Sequence, residues 1–308
     1  LRPVLRYPMM TGMEYPRLDA ADLVDVVADE AAIVSLPPER RAGVRVLMTS
    51  ASLGCGASIV EALPNLRFVV SQGAGRDKFD LPSIEARGIR LRNVGEALTE
   101  DVADLAMSLV QMSSRRLVQA DRFARSGDWK EKRYEPGLSL VDATIGIAGL
   151  SGRIGRAIAR RAEASCMTVA GLDRPSNVGL SDALYPDMVS LAEACDVLVL
   201  AVPGTQTLKH VVGEAELRAL GPKGRLVNVG RGDLVDTSAL IAALESGTIY
   251  GAGLDVVEGE PTVPSRLAAL GNVAITPHIG GATWGARSRG ARIAEDEVLA
   301  ELDESVPV

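Results

Sequence analysis

Apolar residues in this chain come in short unbroken runs, seldom in strict alternation with polar ones. Runs of that kind, bounded by Gly, Pro, Asp and Asn, are the pattern of strands buried on both faces of a parallel sheet. Up to residue 95 they predict strands at Val4–Tyr7, Ile33–Ser35, Val44–Thr49, Leu66–Ser71 and Ile89–Leu91, with helical segments at Ala20–Val27 and Ser58–Ala62. One long helix is predicted from Leu98 to Phe123, with Thr99 as N-cap and the acids Glu100 and Asp101 favouring its first turn. Its apolar surface is broader than one packing face needs, which fits a second subunit or the core of a large domain. Trp129 and Tyr134 in the following loop are candidates to pack in the same place. Strands at Ile145–Gly149, Met167–Asp173, Asp196–Val202, Arg225–Val229, Tyr250–Asp255 and Val273–Thr276 then alternate with helices at Arg156–Ala164, Ser190–Ala194, Gly213–Leu220, Thr237–Ser246 and Ser265–Leu270. Such alternation implies a parallel, doubly wound α/β sheet whose ligands sit at the C-terminal strand ends. An amphipathic helix over Trp284–Leu302 is predicted to return to the first domain. Two domains follow, residues 1–95 with 285–308 and residues 96–284, meeting in a cleft with hinges near 95 and 284.

The stretch Ala143–Ala159 adds a specific chemistry. Its strand runs through Gly149, Gly152 and Gly155 into a helix. Free N–H groups at a helix N-terminus, approached over missing side chains, suit a dinucleotide pyrophosphate. The spacing is Gly-x-x-Gly-x-x-Gly, with Ser151 as an apparent extra residue. A plain strand–turn–helix would show the same glycines. Asp173 favours the nucleotide site: it ends the next apolar run, where an acid accepts the ribose hydroxyls of NAD.

Bulk numbers narrow the rest. A length of 308 residues fits roughly two domains. A composition 47% hydrophobic and 24% charged is that of an ordinary soluble protein, and a net charge of −7 argues against a nucleic-acid partner. No apolar run approaches the ~20 residues of a membrane span, and the N-terminus lacks the apolar stretch of a secretion signal. A chain opening on Leu1 suggests a missing or processed initiator. Cys55, Cys166 and Cys195, widely spaced among small or apolar neighbours, are expected to be buried thiols in a reducing cytoplasm, with no disulfide and no metal.

Reactive residues collect where strands end. Glycines in Ser71-Gln72-Gly73-Ala74-Gly75-Arg76-Asp77 make a tight turn, or cup a small carboxylate with their N–H groups. Arg231, Glu260 and His278 follow three successive predicted strands, offering a cation, a carboxylate and an imidazole to one sheet edge. Of the two histidines, His210 has no acid near it in sequence and is assigned a structural role.

At this point the sequence resembles the D-2-hydroxyacid dehydrogenase family, in its hydroxypyruvate/glyoxylate reductase branch. The resemblance covers nearly the whole chain. It rests on Gly-Ala-Gly at 73–75, Leu-Thr-Glu-Asp-Val-Ala-Asp-Leu-Ala at 98–106 and Ala-Asp-Arg-Phe-Ala-Arg-Ser-Gly-Asp-Trp at 120–129. It continues through Val-Asn-Val-Gly-Arg-Gly at 227–232, Gly-Ala-Gly-Leu-Asp-Val-Val-Glu-Gly-Glu-Pro at 251–261 and Thr-Pro-His-Ile-Gly at 276–280. It implies a Rossmann-type NAD(P) domain and a smaller flavodoxin-like substrate domain. By resemblance Arg231, Glu260 and His278 are catalytic, and Asp255 holds the nicotinamide carboxamide. Glu260, directly before Pro261, matches the family's acid better than Glu258 does. Cofactor contacts are implied for Gly149, Ser151, Gly152, Arg153, Ile154, Gly155, Asp173, Arg174, Val202, Pro203, Val229, Gly230, Asp255 and Gly280. Substrate contacts are implied for Gln72, Gly73, Ala74, Gly75 and Arg76.

The residue types suit the reaction. Reducing a 2-oxo acid builds negative charge on the carbonyl oxygen, to which a protonated His278 donates as general acid. An adjacent Glu260 carboxylate would hold that ring protonated and fix its orientation. Arg231 offers a planar fork to the carboxylate and carbonyl oxygens, a task a lysine does less well. Departures from the family pattern are the extra Ser151 and the charged Arg76 and Lys78, which either favour an acidic or hydroxylated substrate tail or lie on the surface. Asp173 points to NAD, while Arg174 directly after it is a residue that accompanies NADP in the reductase branch. The expectation is a cytoplasmic homodimer acting on a small 2-oxo acid of the hydroxypyruvate or glyoxylate class, with NAD first and NADP open. A 3-phosphoglycerate dehydrogenase stands behind it, since nothing after residue 308 offers a regulatory domain. So does a nucleotide-sensing scaffold of the corepressor type, which would need a dedicated exposed groove.

Overall fold

The computed structural model describes residues 2–8, 12–204 and 206–304; Leu1 lies outside them. The chain separates into two compact units, Leu1–Leu98 with Gly281–Val308, and Thr99–Gly280.

The first unit runs β1 (Val4–Arg6), α1 (Pro16–Ala20), β2 (Val24–Val26), α2 (Glu30–Val34), α3 (Pro38–Ala42), β3 (Val46–Ser50), α4 (Ala57–Ala62), β4 (Phe68–Gln72), α5 (Leu81–Ala86) and β5 (Arg90–Asn93). The parallel strands lie in the order β2-β1-β3-β4-β5, which is the flavodoxin-like arrangement. Alternate residues feed opposite layers, as strand periodicity requires. Leu47 and Val69 join Ile59 and Ile84 on one face, while Val46, Met48, Phe68 and Val70 join Ala291, Ala294 and Val298 on the other.

The second unit runs α6 (Thr99–Arg115), α7 (Leu117–Ser126), β6 (Thr144–Ala148), α8 (Arg153–Ala164), β7 (Thr168–Leu172), β8 (Ala183–Tyr185), α9 (Met188–Glu193), β9 (Val197–Leu200), α10 (Glu214–Leu220), β10 (Arg225–Asn228), α11 (Thr237–Ser246), β11 (Gly251–Leu254), α12 (Ser265–Ala268) and β12 (Val273–Ile275). The final helix, α13 (Trp284–Glu304), supplies the alanines and valine just placed in the first unit. The seven parallel strands order as β12-β11-β10-β9-β6-β7-β8, so the direction of winding reverses between β6 and β9. That is the doubly wound Rossmann order, and the reversal is where such sheets bind ligands.

Several local expectations are corrected. Ile33–Ser35 is not a strand; it lies at the end of α2, where Asp29 caps the first turn by accepting from the Ala32 N–H and Ile33 alone is buried. The strand is instead Val24–Val26, inside the segment read as a helix, because pairing with β1 outweighs local preference. The long helix breaks at Arg116, whose φ of +48° separates α6 from α7 and whose guanidinium stacks on the Tyr250 ring at 4.3 Å. Thr99 does not cap: a 3₁₀ turn over Gly95–Leu98 precedes α6, and the buried Thr99 hydroxyl has no hydrogen-bond partner. The helix after the glycines begins at Arg153, not Arg156. Strand β8 has no counterpart in the expectation. Cys166 is exposed, in a left-handed conformation just past α8, while Cys55 and Cys195 are buried. Trp129 is 68% exposed.

Candidate active site

At the end of β6 the chain turns through Gly149, whose φ of +98° is open to glycine, into α8. A Cβ on Gly155 would lie 2.1 Å from the Gly149 carbonyl oxygen, so the helix packs on the turn only with glycine there. Gly152 caps α8 without any side-chain hydrogen bond, leaving first-turn N–H groups for a ligand. This cradle fits a dinucleotide pyrophosphate on the structure's own terms. Ser151, the extra residue, donates from its hydroxyl to Ser176 at 3.0 Å, and its carbonyl accepts from Arg156 Nε at 3.0 Å. Thus it links the glycine turn to the loop after β7. Arg153 is exposed and Ile154 half-buried at the start of the helix.

Asp173 stands directly past β7 with its carboxylate exposed. Arg174 is also exposed, but its Nη1 donates to the carbonyls of Asp173 (2.8 Å) and Pro186 (3.4 Å). Val202 and Pro203 follow β9. A Cβ on Gly230 would lie 2.6 Å from the Val202 carbonyl oxygen, so the turn after β10 packs closely on this segment.

Three side chains lie at or past the ends of the next three strands. After β10, Asn228 clamps the turn carrying Arg231: its Oδ1 accepts from the Gly230 N–H at 3.0 Å and its Nδ2 donates to the Arg231 carbonyl at 2.7 Å. Val229 and Gly230 are buried, and Arg231 Nη1 donates to the Gly230 carbonyl at 2.8 Å. After β11, Asp255 is 3% exposed. Its carboxylate accepts from the Thr276 hydroxyl (2.7 Å), the Ile279 N–H (2.8 Å) and the Gly280 N–H (2.9 Å). Its carbonyl accepts from the His278 N–H at 2.9 Å. His278 sits at φ +53°, a left-handed conformation that costs about 1–2 kcal/mol for a residue with a Cβ. The Asp255 bonds on both sides hold it there. His278 Nδ1 meets Glu260 Oε1 at 2.7 Å, which leaves Nε2 facing away from the pair. A ring whose one nitrogen donates to a carboxylate has its tautomer set and its other nitrogen available for proton transfer.

Glu258 takes a different partner. Its Oε1 meets His210 Nε2 at 2.9 Å, and that bond holds the Glu258 carboxyl below the usual glutamate range. Sequence reading missed this pair and the Asn228 and Thr276 supports. Asn228 was visible only as a polar residue at the end of an apolar strand, and the partner of His210 lies far along the chain.

In the first unit, the Gln72 side chain is buried and donates to Tyr15 Oη (2.9 Å) and the Gly290 carbonyl (3.1 Å), bracing the fold beneath the turn. Gly73 adopts φ +97° and Ala74 is exposed. Asn93 fixes the rest of the turn, donating to the Gly75 carbonyl and accepting from Arg76 Nε, both at 3.1 Å. Lys78 is exposed. Among the described residues no cluster of ligating side chains could hold a metal ion, and no helix is long and apolar enough to cross a membrane.

Comparison with known proteins agrees with this architecture. Residues 107–280 match the model of the D-isomer specific 2-hydroxyacid dehydrogenase NAD-binding domain. Glyoxylate/hydroxypyruvate reductase A of Arabidopsis thaliana is 43% identical over 79% of this chain and 77% of its own. Glyoxylate reductase of Thermococcus gammatolerans is 39% identical over 87% and 83%. The crystal structure of an NADPH-dependent glyoxylate/hydroxypyruvate reductase from Sinorhizobium meliloti, bound to NADP and malonate, superposes with a TM-score of 0.86 at 38% identity, covering 97% of this chain and 93% of that one.

Proposed function

Because this chain belongs to the D-isomer specific 2-hydroxyacid dehydrogenases and is an NAD(P)-dependent oxidoreductase of small 2-hydroxy acids, we propose that it reduces glyoxylate or hydroxypyruvate, with His278 as acid/base, Glu260 as its partner and Arg231 as the substrate-binding cation. The observation that carries this reading is the 2.7 Å bond between His278 Nδ1 and Glu260, at the edge where β10, β11 and β12 end.

The cofactor supplies and takes back the hydride. The chain's residues supply placement, charge and a proton. Glu260, accepting at Nδ1, orients the imidazole, so Nε2 is the nitrogen that donates to the carbonyl oxygen during reduction and removes the proton in reverse. Arg231, on a turn clamped by Asn228, presents a planar fork that neutralises charge on the substrate oxygens. The N–H groups of Gly73–Arg76 are assigned to the substrate carboxylate. Gly149, Ser151, Gly152, Arg153, Ile154 and Gly155 would hold the pyrophosphate, with Val202, Pro203, Val229, Gly230 and Gly280 lining the cofactor. Asp255, with three of its roughly four acceptor positions already engaged, keeps one for the carboxamide.

The exposed Asp173 carboxylate past β7, assigned to the ribose, and Arg174 turned onto backbone carbonyls support NAD ahead of NADP. The reading includes a cytoplasmic homodimer associating through α6, α7 and the exposed Trp129, which analytical ultracentrifugation checks. The function itself is tested by following oxidation of NADH and NADPH in parallel against glyoxylate, hydroxypyruvate and bulkier 2-oxo acids. Turnover confined to bulky 2-oxo acids would reject the substrate class. Lack of turnover with either small acid would reject the reading.

A further inference from the structure

We propose that His210 is a positioning residue that ties the turn carrying Arg231 to the loop carrying Glu260. The proposal rests on the catalytic reading above and deepens it. His210 lies in the segment after β9, in a left-handed conformation (φ +53°) that residues with a Cβ adopt only where the surroundings hold them. Its main-chain N–H donates to the Asp233 carbonyl at 2.8 Å, two residues past Arg231, and Val212 continues the pairing by donating to the Leu234 carbonyl at 3.0 Å. Its side chain reaches the other way, bonding Glu258 Oε1 at 2.9 Å. One residue thus grips both loops, one by backbone and one by imidazole.

The two loops also touch directly. A Cβ on Gly232 would lie 2.1 Å from the Val257 carbonyl carbon and 2.5 Å from the Glu258 nitrogen, so the backbone after Arg231 rests on the backbone just before Glu260. Between Glu258 and Glu260 stands Gly259, at φ +77°, a joint with no side chain of its own to fix it. Glu260 is 38% exposed at its side chain. Within the loop the Glu260 N–H donates to the Val257 carbonyl at 3.2 Å, and Glu258 in the grip of His210 ties that same stretch to the rest of the unit, which keeps a half-exposed carboxylate within hydrogen-bond reach of His278. Each histidine of the chain therefore pairs with one carboxylate of the same loop, His278 for chemistry and His210 for position. The charged group acting on Glu258 besides His210 is Lys209, and the Thr237 hydroxyl also donates to it; Asp233 meets His210 through its main-chain carbonyl.

The test is steady-state reduction of glyoxylate or hydroxypyruvate across the pH range, with His210→Ala, Glu258→Ala, the combined variant, and His210→Gln, whose amide nitrogen reaches the place of Nε2. His210→Ala and Glu258→Ala should each lower kcat roughly 10- to 100-fold, with KM moved less, as a slight misplacement of reacting groups does. The combined variant should be no worse than either alone. His210→Gln should recover most of the loss. The pH dependence of kcat should differ from the parent's in both alanine variants, because Glu260 is no longer held in register with the His278 ring. A kcat and pH profile like the parent's, or losses that multiply in the combined variant, overturn the proposal whatever the melting temperatures. If His210→Ala does not fold, Glu258→Ala and His210→Gln decide by the same criteria. His278→Ala, run alongside, separates the two levels. Retained turnover there rejects the catalytic reading, whereas its loss with an unaffected His210→Ala rejects the role of His210 alone.

Discussion

Asp255→Asn isolates what one buried carboxylate does for the site. The two side chains are nearly isosteric, so packing is preserved and only hydrogen bonding changes. Asp255 Oδ1 accepts twice, from Thr276 and the Ile279 N–H, and Oδ2 accepts from the Gly280 N–H. An asparagine keeps the larger number of bonds by leaving its oxygen at the Oδ1 position, which sets its NH₂ against the buried Gly280 N–H. Leaving that donor unsatisfied costs about 1–3 kcal/mol, and the two surviving bonds each lose about 1 kcal/mol on passing from charged to neutral acceptor. The total is about 3–5 kcal/mol, a fall in Tm on the order of 10 °C for a unit of this size. It should appear as a lower urea midpoint for Thr99–Gly280, followed by tryptophan-independent circular dichroism. Turnover should fall as well, since the same bonds hold His278 at its left-handed φ. A variant matching the parent within about 0.5 kcal/mol, the range of an ordinary surface substitution, would refute the argument that Asp255 anchors the His278 turn.

His278→Ala should lower turnover roughly 10²- to 10⁴-fold while reduced cofactor still binds by fluorescence titration; unchanged turnover would remove it from the mechanism. Asp173→Ala should weaken NAD about tenfold or more, the loss of a charged hydrogen bond, and NADP much less, as read by isothermal titration. Equal losses would mean that Asp173 does not meet the ribose. Glu295, buried in α13, accepts from the Arg17 N–H (2.8 Å), the Leu18 N–H (3.0 Å) and Arg17 Nε (3.0 Å). Glu295→Ala should therefore destabilise the first unit by about 3 kcal/mol or more in denaturant melts, and a loss below about 1 kcal/mol would contradict it. The Glu258 carboxyl is held below its ordinary value of 4.5 by the bond from His210, so it contributes stability above that pH and loses it as the pH falls further. Glu258→Gln should accordingly narrow its stability difference from the parent under acid, in melts repeated along a pH series; a constant difference would show that the bond does not titrate.

Much of the architecture was legible in the chain because parallel strands buried on both faces must be continuous apolar runs. The segments ending at Asn228, Leu254 and Ile275 could hardly be anything else, and strands placed in order with helices between them bring Arg231, Glu260 and His278 to one edge. The glycines at 149 and 155 were legible for a similar reason, since no side chain fits between that turn and its helix.

Errors clustered where a distant partner outweighs the local pattern. Val24–Val26 becomes a strand because β1 offers an edge, and Ile33 becomes helical because Asp29 caps the turn before it. Arg116 ends a helix that its residues would continue, within reach of a tyrosine far along the chain. Both glutamates of the loop before Pro261 were visible, and resemblance paired Glu260 with His278, but only the folded chain gives Glu258 to His210. Sequence by itself determined which segments are buried and which reactive types reach the sheet edge, because burial follows from local apolar content. Tertiary structure alone decided which side chain meets which, because a hydrogen bond depends on tenths of an ångström between residues whose separation in sequence carries no record of that distance.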